Sequence, residues 1–87
     1  MAFKNPVTVR GEPVQLVAPD GSFEAQCVCD IDDFPLVKMV IERLSGGGLF
    51  VRLQGDLIEI YALHDTRTAA EGTIKRWKAA LAKELNL

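Results

Sequence analysis

The chain has 87 residues, of which 48% are hydrophobic and 25% charged, and its formal net charge is −2. A chain of this length supports one hydrophobic core, so we expect a single α+β domain over residues 1–87, of modest stability unless it forms a homodimer. The composition excludes a disordered protein, and the near-balanced charge gives no general attraction to nucleic acid or to an anionic membrane. The sequence has no apolar run of about 20 residues and no secretory signal pattern, so we expect a cytoplasmic protein without a membrane partner.

The first thirty residues predict three antiparallel strands joined by turns at residues 10–13 and 19–22. Glycine, proline and aspartate in both segments are typical of turns. The registers that these turns allow place apolar side chains on one face, while Gln15, Glu24 and Gln26 point to the other. The predicted pairs are Val7 with Leu16, Val9 with Val14, Val14 with Cys27, Leu16 with Ala25, and Ala18 with Phe23.

A helical pattern follows the third strand. Asp32 or Asp33 is the predicted N-cap, Pro35 suits the first turn, and Gly46 is the predicted left-handed C-cap. Asp30, Asp32 and Asp33, with Glu24 nearby, form the densest acidic cluster in the sequence. A helix N-terminus accounts for carboxylates at this position, and an exposed acidic corner is also a candidate contact for a basic partner.

Residues 49–63 predict a β-hairpin around a two-residue turn at Gly55-Asp56. In this register Leu49, Val51 and Leu53 oppose Ala62, Ile60 and Ile58, which makes one face wholly apolar. The other face pairs Arg52 with Glu59 and Phe50 with Tyr61, and both kinds of pair stabilise neighbouring strands. A shift by one residue would destroy both patterns.

The last segment predicts a second helix, for which Thr68 and Glu71 fit a capping box. Its apolar stripe comprises Ala70, Ile74, Trp77, Leu81 and Leu85. The predicted order is therefore β-β-β-α-β-β-α, a five-stranded antiparallel sheet with two helices packed on one face.

In element order, three strands, a helix, a hairpin and a final helix, the chain resembles the body of secretion-chaperone-like domains. Those domains are small, acidic and often dimeric, and they bind other proteins, so the resemblance implies a protein-binding role. The first helix that is usual in those domains is absent from the predicted order.

The sequence offers little for catalysis or metal binding. Cys27 and Cys29 continue an apolar register, so we interpret them as reduced core residues rather than ligands, and we expect no metal and no cofactor. His64 and Asp65 are the residue types of a catalytic histidine–carboxylate pair and lie in a predicted loop, but the sequence has no motif of a reactive serine or cysteine to act with them. We therefore expect a protein without enzymatic activity, and an enzyme using His64 ranks third among the alternatives.

A nucleic-acid-binding regulator is the second alternative. It would use the basic side chains of the final helix, whose positive surface is diluted by glutamate and alanine. These residues are Lys75, Arg76, Lys78 and Lys83.

The first hypothesis is a small protein-binding module: an adaptor, a chaperone or an inhibitor of a larger protein. Phe50 and Tyr61 are predicted on the sheet face opposite the helices, flanked by Arg52 and Glu59, a composition typical of contact surfaces. The acidic corner at Asp30, Asp32 and Asp33 is a further candidate contact. Self-association of a homodimer through the same sheet face is the simplest form of this hypothesis.

Overall fold

A computed structural model describes residues 5–16 and 21–84 of the chain. It confirms the predicted α+β fold, a five-stranded antiparallel sheet with two helices in the order β-β-β-α-β-β-α. The elements are β1 (Thr8–Val9), β2 (Val14–Gln15), β3 (Phe23–Asp30), α1 (Phe34–Ser45), β4 (Leu49–Gln54), β5 (Leu57–His64) and α2 (Arg67–Glu84).

The third strand, β3, lies in the interior of the sheet. On one side it pairs along its whole length with β5, which in turn pairs with β4 at the edge. On its other side β3 pairs with both β1 and β2. These two short strands follow one another along the same edge, so the sheet order is β1-β3-β5-β4 with β2 also beside β3.

This arrangement corrects the predicted pairing of the first two strands. Val9 lies opposite Cys27 rather than Val14, and β1 and β2 do not form a hairpin. From Val9 to Val14 the edge advances five residues, whereas β3 advances three, from Cys27 to Glu24. The extra residues form a bend that ends at the buried Pro13. Proline has no backbone N–H to donate to β3, so the strand pairing is interrupted there.

The predicted register of β2 is also wrong. Val14 lies opposite Glu24 instead of Cys27, and Gln15 lies opposite Phe23. The backbone N–H of Leu16 donates to the carbonyl of Ser22 at 2.8 Å, so Leu16 does not face Ala25. Val14 therefore leaves the apolar face and is 38% exposed. Ala18, the predicted partner of Phe23, lies outside the described residues.

The hairpin of β4 and β5 has every predicted pair. Leu49, Val51 and Leu53 oppose Ala62, Ile60 and Ile58, and on the other face Phe50 opposes Tyr61 and Arg52 opposes Glu59. Gly55 in the turn has a φ of 64°, a conformation that is open to glycine at no steric cost. The alternation along the two strands, together with the position of the two-residue turn, determines the register.

Both helices pack on the same face of the sheet. The buried cluster joins α1 and α2 to alternate residues of β3 and β5, and Val7 and Val9 pack against it. Trp77, at 1% exposure, is its largest side chain, and truncation of such a residue typically costs about 3–5 kcal/mol. The cluster comprises Ala25, Cys27, Cys29, Val37, Val40, Ile41, Ile58, Ile60, Ala62, Ile74, Trp77 and Leu81.

The helix ends confirm both predicted caps of α1 and correct the predicted cap of α2. For α1, Asp33 is the N-cap and Gly46, at a φ of 67°, is the left-handed C-cap. For α2, the cap is Thr66, whose Oγ1 accepts the N–H of Ala69 at 3.1 Å, so the predicted capping box of Thr68 and Glu71 is wrong. The structure begins this helix at Arg67, and Thr68 already lies inside the first turn.

Candidate protein-binding surface

The face of the sheet opposite the helices is the surface on which Phe50, Arg52, Glu59 and Tyr61 meet; we call it the outer face. Opposite residues of antiparallel strands point to the same side, so the registers of β2 to β5 define its members. The pairs are Val14 with Glu24, Glu24 with Leu63, Gln26 with Tyr61, Val28 with Glu59, Asp30 with Leu57, Phe50 with Tyr61, Arg52 with Glu59, and Gln54 with Leu57.

An ion-pair network centred on Arg52 occupies the middle of the outer face. Its Nε donates to Oε1 of Glu59, the opposite residue on β5. Its guanidinium then extends across β5 to Glu24 on β3, with Nη2 donating to Oε1 at 2.7 Å and Nη1 to Oε2 at 3.3 Å. On the way it crosses Tyr61, with Cζ 4.2 Å from the ring centroid. One arginine thus ties three strands together.

The two carboxylates of this network are buried although they lie on the outer face. Glu24 is 3% and Glu59 1% exposed, whereas the Arg52 side chain is 42% exposed. Gln26 Nε2 donates to Glu24 Oε1 at 2.7 Å, and within residues 5–16 and 21–84 no buried side-chain nitrogen or oxygen lacks a hydrogen-bond partner. Hydrogen bonding to Glu24, supported by Glu59, raises the pKa of Arg52 against the opposing effect of burial. The guanidinium is therefore fixed in charge and in position.

Phe50 and Tyr61 form the predicted aromatic pair. Their ring centroids are 5.4 Å apart and their planes differ by 24°, a stacked geometry. Tyr61 is partly buried between this ring and the guanidinium of Arg52, while Phe50 remains 47% exposed. The pair presents one rigid, partly exposed apolar surface beside the ion-pair network.

Exposed apolar side chains surround the network. Besides Phe50, three further large side chains of the outer face are exposed at 38–42%. One comes from β2 and two from the two ends of β5, so they lie on different sides of the network. They are Val14, Leu57 and Leu63. A second protein could displace water from such a surface without moving the charged side chains, because these are already paired with one another.

Sequence reasoning identified Phe50, Arg52, Glu59 and Tyr61 but missed Glu24 as a member of the network. Glu24 does not belong to the acidic cluster, because Asp30 lies six positions further along β3, on the order of 20 Å away. Its place on the polar face was predictable from alternation. Its pairing with Arg52 depends on β3 lying beside β5, which local sequence does not specify.

Two carboxylates of the acidic corner accept hydrogen bonds from backbone N–H groups of the chain itself. Asp30 Oδ1 accepts the N–H of Asp32 at 2.9 Å, and Asp33 Oδ2 accepts the N–H of Asn5 at 2.9 Å. Asp33 is 4% exposed and Asp32 is exposed. These carboxylates shape the turn from β3 into α1 and fasten the N-terminal segment to it. A role of the corner in partner binding stays a prediction.

His64 lies at a small polar hollow of about 250 Å³ between the glycine turn after α1 and helix α2. Its Nε2 is 2.9 Å from Thr73 Oγ1, which also accepts a hydrogen bond from Arg76 Nη2 at 2.9 Å. Burial first, and then the charge of Arg76, lower the pKa of His64, while Asp65 opposes them. The contact with Thr73 already occupies Nε2 of His64, and catalysis by His64 stays a prediction.

The basic residues of α2 fall into two groups on its surface. Lys75 and Lys78 are three residues apart, Arg76 and Lys83 seven apart, and at 100° per residue the two pairs point in different directions. Arg76 is also bonded to Thr73. Nucleic-acid binding by these residues stays a prediction.

Cys27 and Cys29 are buried core residues, as their register predicted. Burial raises the pKa of Cys27 to about 12 and, together with the negative charges of Asp33 and Asp30, that of Cys29 to about 11. Among the described residues, no three histidine, cysteine, aspartate or glutamate side chains converge as metal ligands would. In the same part of the chain, neither helix combines the length and apolar character needed to cross a bilayer.

Comparison of the chain with protein-family models, with curated proteins and with solved structures gives no match.

Proposed function

We propose that this domain is a non-enzymatic protein-binding module, an adaptor, chaperone or inhibitor of a larger protein, and that its partner docks on the outer face. The observation that carries the proposal is the Phe50–Tyr61 stack beside the Arg52 network, bordered by exposed apolar side chains. Aromatic residues and arginine are the side chains most enriched at the energetic centres of protein interfaces.

The geometry supports a preorganised contact surface. Arg52 has five N–H groups, of which three donate to Glu24 and Glu59. The two remaining groups suit carbonyl or carboxylate oxygens of a partner, since the guanidinium is partly exposed. Because the side chain is already fixed by two carboxylates, binding would cost little of its rotamer entropy.

Affinity capture tests the proposal. The tagged 87-residue chain and its variants are used to retain proteins from a lysate of the source cells, and retained proteins are identified by mass spectrometry. Phe50→Ala with Tyr61→Ala is expected to lose the specific partner while its circular dichroism stays that of the parent. A control with Met39→Ala and Leu44→Ala, exposed apolar residues of α1, should retain it. Equal retention by the two double variants would overturn the proposal.

A further inference from the structure

Strand β4 forms an edge of the sheet that no other strand within residues 5–16 and 21–84 covers. The opposite edge is interrupted, because it consists of the two-residue strands β1 and β2 separated by a bend and Pro13. Such interruptions protect an edge from pairing with other chains. By contrast, β4 runs for six residues, LFVRLQ, without proline, lysine or a bulge.

The open edge is apolar and carries no unpaired charge. Val51 and Leu53 point to the helix side of the sheet, yet they are 45% and 77% exposed. Arg52, the one charged residue of β4, turns back over β5 to Glu59 and Glu24. A second strand approaching this edge therefore meets apolar side chains and backbone, with no charge to repel it.

The backbone N–H and C=O groups of every second residue of β4 point away from β5 and can pair with an added strand. The turn at Gly55-Asp56 makes Gln54 and Leu57 a hydrogen-bonded pair, and such pairs alternate along an antiparallel hairpin. Backbone groups of Phe50, Arg52 and Gln54 are thus directed to β5. Those of Leu49, Val51 and Leu53 are directed outward.

We propose that two copies of this chain pair antiparallel through β4, around a two-fold axis at Val51, to form one continuous ten-stranded sheet. In this register Val51 lies opposite the partner's Val51 and Leu49 opposite the partner's Leu53. The three outward residues then exchange backbone hydrogen bonds on both sides of the axis. On the outer face, Phe50 lies opposite the partner's Arg52, and each guanidinium stays over its own Tyr61.

The β4 sequence favours a second copy as the occupant because the strand is complementary to itself in this register. All helix-side pairs are apolar, and the two symmetry-related arginines do not meet. Moving the axis to Arg52 would place Leu49 opposite the partner's Gly55 in the turn, so Leu49 would lose its apolar partner. The pairing is independent of the proposed function, since it uses the edge and leaves most of the outer face open for another protein.

Solution mass tests the pairing. Sedimentation equilibrium of the 87-residue chain should give a mass near twice the 9.6 kDa of one copy. Leu53→Lys should weaken the dimer at least about tenfold in dissociation constant without unfolding the chain, because Leu53 is 77% exposed. Leu63→Lys, an exposed leucine of the interior strand β5, should leave the dimer intact. A monomeric parent chain, or a dimer that Leu53→Lys does not weaken, would overturn the proposal.

Cross-linking locates the axis. Val51→Cys should give a covalent dimer with a short bismaleimide, since the two introduced thiols would be neighbours across the axis. Leu63→Cys should not. Cys27 and Cys29 contribute little background, because both thiols are buried. Equal cross-linking of the two variants would contradict pairing around Val51.

Discussion

Arg52 on β4 and Glu24 on β3 are joined across the intervening strand β5, with Arg52 Nη2 2.7 Å from Glu24 Oε1 and the guanidinium lying over Tyr61. The two residues are 28 positions apart in the sequence, and their contact links β4 to β3 across the outer face of the sheet. Glu59 shares the same guanidinium, so removal of one side chain leaves two buried carboxylates without their counter-ion.

Arg52→Ala should lower the free energy of unfolding by about 2–3 kcal/mol. Breaking a buried ion pair usually costs about 3–5 kcal/mol, and partial exposure of the Arg52 side chain reduces that effect. Lys38→Ala is the matched control, because Lys38 forms an exposed pair with Glu42 and its loss should cost less than about 0.5 kcal/mol. Urea denaturation of both variants measures the difference; equal costs would contradict the structural role of the network.

Thr66→Ala should destabilise the chain by about 1 kcal/mol, since the Thr66 hydroxyl caps α2 at the N–H of Ala69. Thr68→Ala should leave stability unchanged or raise it slightly, because Thr68 lies inside the helix, where alanine is the better helix former. Thermal unfolding followed by circular dichroism compares the two. The reverse order of stabilities would restore the capping box expected from sequence.

His64 should titrate below its ordinary value of 6.5, because burial and Arg76 both disfavour the imidazolium. Arg76→Gln should raise the pKa, and Lys75→Gln, a neighbouring change at an exposed lysine, should not. His64 is the one histidine of the sequence, so its ring resonances report the titration directly in a proton–carbon NMR spectrum. A pKa above 6.5 would contradict the described environment.

The same shift has a consequence for acid stability. Protonation of His64 is harder in the folded than in the unfolded chain, so the unfolded state binds more protons as the pH falls. The contribution of His64 to stability is therefore present above pH 6.5 and lost as the pH falls through the lower folded pKa. In His64→Gln this part of the pH dependence should disappear.

Cys27 and Cys29 should react with a thiol reagent at least about a hundredfold more slowly than an exposed cysteine at mildly alkaline pH. Their raised pKa values, about 12 and about 11, leave little thiolate, and their side chains are buried. Leu63→Cys provides an exposed reference within the same chain. Rapid modification of all thiols in the native protein would show that the core around β3 opens readily.

The fold could be predicted where local patterns carry enough information. In residues 49–63 the alternation, the two-residue turn and two cross-strand pairs agree on one register, and the structure has that register. The glycine cap at Gly46 is equally local. Such features need no knowledge of distant parts of the chain.

The N-terminal strands show where sequence reasoning failed. Alternation places Val9 and Val14 on strands but does not name the neighbouring strand, and the true partner of both is β3. The buried Pro13 interrupts the edge instead of allowing a hairpin. For the same reason the sequence placed Arg52 beside Glu59 but could not place it beside Glu24.

The most direct test of the protein-binding role is the affinity of a purified captured partner, measured by isothermal titration calorimetry. Replacing both aromatic side chains, Phe50→Ala with Tyr61→Ala, should raise the dissociation constant at least about tenfold, as expected for the centre of an interface. Met39→Ala with Leu44→Ala on α1 should leave it unchanged. A partner that binds the aromatic double variant as tightly as the parent chain would show that the outer face is not where proteins dock.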